Sequence, residues 1–140
     1  MARFTTVIVL GLLPLIMAAA ACQRQGEMRT PTPYQRGTIL LQNCDYAAAI
    51  ESFDETIRIY PKQANAFYGR GYAHGKLGQH ELALQDQNEA IRINPRNGGA
   101  HYYRGLAHGE LGDDQKSQQD IEKAEELGFN IPTGQVRPGC

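Results

Sequence analysis

Within residues 64–77 the apolar and aromatic positions Phe67, Tyr68, Tyr72, Ala73 and Leu77 recur at spacings of about four, with no proline among them. That spacing sets them along one broad face and predicts a helix. Gly78 follows as a residue that takes left-handed backbone at a helix end without a Cβ clash. A second helix then keeps Leu82, Ala83, Ala90, Ile91 and Ile93 as its apolar positions and stops ahead of Pro95. Proline disfavours helical geometry at Asn94 before it. Gly71, Ala83 and Ala90 are small enough for the two helices to approach closely.

The pattern recurs. A shift of 34 residues lays RGYAHGKLG (70–78) on RGLAHGELG (104–112). In the other direction IRINP (91–95) falls on IRIYP (57–61), and Arg70-Gly71 on Arg36-Gly37. A period in this range marks a stacked array, because one hairpin cannot bury both of its faces alone. Three helical hairpins are therefore predicted, over 34–62, 64–97 and 98–129. In the first, helices are expected over 34–42 and 46–59, with Asp45 as N-cap. The third is expected to open on a mobile Asn97-Gly98-Gly99. Its second helix is capped by Asp113 or Asp114 and is polar (QKSQQDIEKAEEL), so it reads as the solvent-facing end of the stack. Residues 130–140 hold Pro132, Gly134, Pro138 and Gly139 and predict an irregular tail. Ile121, Leu127 and Phe129 are then partly exposed unless that tail folds over them.

Charge and composition narrow the function. The chain has 140 residues, enough for one domain. A net charge of −1 and the lack of any like-charge run argue against the basic stripe of a nucleic-acid surface. No phosphate-binding loop, Gly-x-Ser-x-Gly or His-Glu-x-x-His is present, so no enzyme and no cofactor are expected. His74 and His108 share a repeat slot, but packed or half-exposed histidines are the better reading than a metal site, which needs more converging ligands.

Residues 1–21 read as an export signal: Arg3, an apolar stretch over 7–17, then Ala18 to Ala21. The apolar run is too short for a span of about 20 residues. Removing it takes away Arg3 alone and leaves a net charge of −2, which gives no reason to lie flat on anionic lipid. Residues 22–33 read as a flexible tether. In an oxidising compartment Cys44 and Cys140 can pair. A free Cys44 in the turn and an intermolecular bridge through Cys140 stay open as alternatives.

The period of 34, with Phe67, Gly71, Gly78, Ala83, Ala90 and Pro95 in place, resembles the tetratricopeptide repeat (TPR). The likeness covers residues 30–129. The third repeat offers His101, Gly105, Gly112, Ser117 and Ala124 in these slots, and the first Gly37, Cys44, Ala49, Thr56 and Pro61. The resemblance implies an all-α solenoid of three helical hairpins in a right-handed superhelix, between a disordered N-terminal tether and a disordered C-terminal tail. Arg36, Arg70 and Arg104 stand where the family has Leu. That matches a subgroup with Asp in the second helix, here Asp86 and Asp120, with Ser52 in the first copy. The implied structural ion pairs are Arg70–Asp86 and Arg104–Asp120, with Arg36 the freer cation. In the family the first helix of each hairpin lines a concave groove. The matching positions are Tyr34, Thr38, Leu41, Tyr68, Tyr72, Lys76, Tyr102, Leu106 and Glu110, with Tyr103 at the margin. About half of the tyrosines are expected to pack between repeats instead. The slots of the family's carboxylate clamp hold Tyr34, Thr38, Gly69, Gly99 and Tyr103, so a binder of chaperone tails of that type is not expected. An aromatic, nearly neutral groove suits an extended peptide or a partner helix.

The leader also resembles a bacterial lipoprotein signal, in which Cys22 would be lipidated and become the first mature residue. Ala19 replaces the usual Leu, and ordinary cleavage at an Ala-x-Ala site is the alternative. Gln23 after Cys22 resembles the pattern sent to the outer membrane. The expectation is an exported adaptor of the bacterial cell envelope, anchored in the membrane through Cys22 and facing the periplasm. It binds a protein or peptide, with no nucleic acid and no cofactor. The alternative is a homo-oligomer joined through an uncapped third repeat.

Overall fold

The structure, a computed structural model, describes residues 30–131. The leader, Cys22, most of the tether and residues 132–140 lie outside the described residues. Within them the chain forms α1 (Pro33–Gln42), α2 (Tyr46–Ile59), α3 (Ala64–Lys76), α4 (His80–Ile93), α5 (Gly98–Glu110) and α6 (Asp114–Glu126). No described residue is in a strand, and no helix among them is long and apolar enough to cross a membrane.

Local chemistry sets the helix starts. Thr32 and Gln35 form a reciprocal capping box ahead of Pro33. The side chains of Asp45, Asn97 and Asp113 accept from the backbone N–H groups of Ala48, Ala100 and Lys116. The turns after α1, α3 and α5 each use one left-handed residue: Cys44 (φ 61°), Gly78 (φ 73°) and Gly112 (φ 83°). Cys44 carries a Cβ there, at a cost of about 1 kcal/mol. It is disulfide-bonded, which removes the free-thiol alternative. Cys22 and Cys140 both lie outside the described residues.

Each hairpin packs its two helices together, and α1 touches α3 as α3 touches α5. The outer helices α2, α4 and α6 pack on inner ones and not on one another. Inner helices in contact and outer helices apart bend the array, with α1, α3 and α5 on the concave side. This is the all-α solenoid of three hairpins that the repeats imply.

The core is built from small residues and one ring. Ala49, Ala66, Ala73, Ala83, Ala90, Ala100, Ala107 and Ala124 are buried, so the backbones sit close. Phe53, 1% exposed, fills the space between repeats 1 and 2. A Cβ at Gly37 or Gly69 would come within 2.9 or 2.6 Å of its ring, so both inner helices need glycine there. Tyr34, Leu40, Leu41 and Ile57 pack around this cluster, and Leu41 is therefore a core residue more than a groove residue.

Two expectations change. Leu77 and Leu82 are 45% and 43% exposed, because alanines hold the helices too close for leucines to enter the interface. Asn97-Gly98-Gly99 is an ordered helix start: Asn97 caps α5, and Gly99 is buried against Tyr68. Ile121, Leu127 and Phe129 are partly exposed, as expected, and Phe129 packs on Tyr102 with ring centroids 5.3 Å apart.

Gln87 stands one period after Phe53 and is fully buried. Its amide donates to the Tyr68 carbonyl at 3.2 Å, while its Oε1 has no partner among the described residues. A buried unpaired acceptor costs about 1–3 kcal/mol. Gln87→Leu is expected to raise stability by about 1 kcal/mol in urea denaturation; a loss of that size would refute this account of the site.

Candidate functional site

A continuous line of aromatic rings crosses the inner helices α5 and α3 and ends on Tyr46, the first residue of the outer helix α2. From the C-terminal end it runs from Phe129 to Tyr102 (5.3 Å), Tyr103 (5.1 Å), Tyr72 (4.9 Å) and Tyr46 (6.2 Å). Tyr68 joins it at Tyr103, 5.9 Å away. Three of these contacts are edge-on, the geometry that ring quadrupoles favour. The helical repeat produces the line, since Tyr68 and Tyr72 sit one turn apart on α3 and face Tyr102 and Tyr103 on α5.

The tyrosines divide into supports and surface. Burial, then the neighbouring Tyr72 and Tyr34 phenols, push the Tyr68 hydroxyl up to about 12. Burial raises Tyr103 further, helped by Tyr68, Tyr72 and Tyr102. Burial also raises Tyr72, partly offset by a hydrogen bond with Tyr46. All are neutral phenols at physiological pH, so the face offers π surface and hydroxyl groups without charge. Lys76 sits over the Tyr72 ring at 5.7 Å. Leu106 and Glu110 are exposed on α5. Tyr34 leans on Phe53 at 6.0 Å. The Thr38 hydroxyl donates back to the Tyr34 carbonyl at 3.0 Å, so α1 contributes less open surface than α3 and α5.

At the N-terminal ends of the inner helices the face opens into a cleft of about 450 Å³. It is lined by Tyr34, Asn65, Tyr68, Asn94, Arg96, Asn97, Gly98, Gly99, Leu127, Gly128 and Phe129. Two carboxylate-clamp slots lie here or beside it. A Cβ at Gly99 would meet the Tyr68 ring at 3.0 Å, and one at Gly69 would meet Phe53 at 2.6 Å. Neighbouring rings occupy the space that clamp side chains would need.

Behind the groove, arginines stitch the layers. Arg70 forks onto Asp86 (2.9 and 2.6 Å) and reaches back to Asp54 of the preceding hairpin at 2.5 Å. Arg104 forks onto Asp120 (2.7 and 2.6 Å) and reaches Asn88, one period after Asp54, at 2.8 Å. Arg36 has no preceding hairpin and binds Ser52 at 3.0 Å and Glu55. Its partner Glu55 was not foreseen, although a carboxylate three residues after Ser52 on the same helix was visible. These cations are committed to structure and form no open anion site.

His101 is buried, with Nδ1 3.3 Å from Asp120 Oδ1 and Nε2 3.2 Å from the Pro95 carbonyl. His74 meets Gln79 at 2.6 Å. Among the described residues no three His, Cys, Asp or Glu side chains converge as metal ligands. Burial raises the Asp120 carboxyl, but Arg104 and then His101 outweigh it and leave it below the usual carboxylate range. A lowered folded value stabilises above the unfolded pKa of about 3.9 and is lost as pH falls through the folded value. Stability is thus expected to drop below about pH 4, less steeply in Asp120→Asn. Thermal melts from pH 7 to 3 test this, and parallel profiles for both proteins would contradict it.

A tetratricopeptide repeat model matches residues 34–98. No curated protein matches the sequence significantly. Among solved structures, the second TPR of Spaghetti (RPAP3), bound to the HSP90 peptide SRMEEVD, is 26% identical with a TM-score of 0.67. The match covers 75% of this chain and 97% of that one. The Arabidopsis OM64 TPR domain is 24% identical with a TM-score of 0.68, covering 71% and 83%. MamA is 25% identical with a TM-score of 0.64; the match covers 69% of this chain and 56% of MamA, little more than half its length.

Proposed function

We propose that this tetratricopeptide-repeat solenoid is a protein–protein interaction adaptor whose aromatic concave face takes an extended, weakly charged segment of a partner. The observation that carries the reading is the unbroken ring line from Phe129 to Tyr46 across all three hairpins. Large, fairly rigid amphipathic rings suit such a contact at low entropic cost. The Spaghetti repeat holds an HSP90 peptide rich in acidic residues. Among the described residues the face carries Lys76 over Tyr72, Arg96 at its cleft and exposed Glu110, with glycines in two clamp slots. The preferred ligand is therefore apolar or aromatic-seeking and not an acidic tail.

In the same reading the chain is exported, anchored through Cys22 at the outer membrane, and works in the periplasm. The leader sequence and a disulfide-bonded Cys44 support this, since structural disulfides belong to oxidising compartments. Binding, with no reaction, is the activity assigned. Self-association through the third repeat draws less support, because Phe129 already lies on Tyr102.

Tyr72→Ala with Tyr102→Ala is expected to abolish partner capture from envelope extract while helical circular dichroism is kept. Leu106→Arg, at an exposed position, is expected to weaken capture at least tenfold with no change in melting. Capture that survives both substitutions would refute the groove assignment.

A further inference from the structure

We propose that the two ends of the solenoid dock on one another in successive copies of this chain, with α6 of one copy receiving α1 of the next as it would receive a fourth hairpin. The inference stands apart from the groove reading, since it uses the ends of the array and leaves the concave face open.

The register of the seam carries it. At each hairpin boundary the inner-helix arginine crosses to the outer helix before it through the same atom. Arg70 Nη1 reaches Asp54, and Arg104 Nη1 reaches Asn88, each 16 residues earlier in the chain. Asp54 and Asn88 are one period apart, and the next position in that series is Glu122 on α6. Glu122 is exposed. Its Oε1 accepts from Gln118 on the same helix at 2.9 Å, and its Oε2 has no partner among the described residues. The arginine series begins at Arg36, whose side chain is 46% exposed. Its Nε and Nη2 bind Ser52 and Glu55, and its Nη1 has no partner among the described residues. Each end of the array thus holds one half of the boundary contact, and the two halves carry opposite charge.

The apolar register agrees. Ala73 and Ala107 are buried. Ile39 holds the same slot in α1 and is 48% exposed, because no hairpin precedes it among the described residues. At the other end, Phe53 and Gln87 are buried, while Ile121 in their slot is only partly so. Phe53 meets Gly37 of its own hairpin and Gly69 of the next; Ile121 meets Gly105 of its own. In the joint Ile121 takes the part of Phe53, and Gln35 stands where Gly69 does, so a smaller side chain meets a larger one. Phe129 lies on Tyr102 of α5 and leaves Glu122 open.

The two surfaces differ, so the contact is heterologous and continues beyond a pair of copies. One exposed ion pair beside a few apolar side chains makes it weak and sensitive to salt.

Sedimentation equilibrium of the full chain, over a wide range of concentration at low salt, tests this. The average mass is expected to rise past two copies and to fall as salt is added. Glu122→Arg and Arg36→Glu are each expected to weaken association at least tenfold. Mixing the two variants, or joining both substitutions in one chain, is expected to restore it. Ile39→Asp is expected to weaken association as much, with melting unchanged. Arg36→Glu sets a carboxylate beside Glu55; if that variant does not fold, Glu122→Arg and Ile39→Asp decide the matter, since both positions are exposed. A single protomer at every concentration, a plateau at two copies, or association indifferent to Glu122→Arg and Ile39→Asp overturns the proposal.

Discussion

Replacing Phe53 by Ala is expected to cost about 3–5 kcal/mol, the range for emptying a buried aromatic site. The environment argues for the upper part of that range. The ring is 1% exposed and is met by two glycine faces, Gly37 on α1 and Gly69 on α3. Neither glycine has a side chain to swing into the cavity, so collapse requires moving helices. Phe53 also joins the first hairpin to the second. In a repeat array each unit is held by its neighbour, so the loss falls first on α1 and α2. Hydrogen exchange is expected to show protection lost across residues 33–59 while α5 and α6 keep theirs. An unchanged denaturation midpoint would refute the role given to Phe53.

The second large effect is expected at Arg70. Arg70→Ala leaves Asp86, 6% exposed at the side chain, with no cation against it among the described residues but the His74 ring at 3.9 Å, which is charged only when protonated. It also removes the 2.5 Å link to Asp54 across the hairpin boundary. Breaking a buried pair from one side costs about 3–5 kcal/mol; because Arg70 itself is partly exposed, about 3 kcal/mol is the expected loss. Hydrogen bonding to Asp86 holds the guanidinium well above its ordinary pKa against the effect of burial, so raising pH gives no relief. Removing both charges together, as Arg70→Leu with Asp86→Leu, is expected to recover most of the loss, since apolar isosteres often replace buried pairs at little cost. A double variant as unstable as Arg70→Ala alone would show that the pair is worth more than its desolvation. Urea denaturation of the three proteins makes the comparison.

The repeat period made the hairpins legible, and the Arg and Asp slots made the seam legible, because both are spelled by residue identity at a fixed spacing. The ring line was legible only as a set of positions. Which tyrosines support and which are open depends on packing: Tyr68 lies against Gly99, a contact between residues 31 apart that no local pattern encodes. Phe53 escaped notice because its slot holds Phe, Gln and Ile at 53, 87 and 121, and a slot that tolerates a glutamine does not look like a core position. Leu77 and Leu82 misled for the opposite reason. Their hydrophobicity argues for burial, but alanine-lined interfaces leave no space for them. Glycines at 98 and 99 read as loose chain, yet the Asn97 cap and the Tyr68 ring hold them in an ordered helix start.

The central claim is that partners dock on the concave ring line. The most direct measurement is a nuclear magnetic resonance titration of the protein with its captured partner segment, following the ring protons of Tyr72, Tyr102 and Tyr103. The account predicts that these signals and those of Leu106 shift together, while outer-helix residues such as Leu82 and Gln118 stay in place. Shifts confined to the outer helices, with the tyrosine rings unmoved, would contradict it.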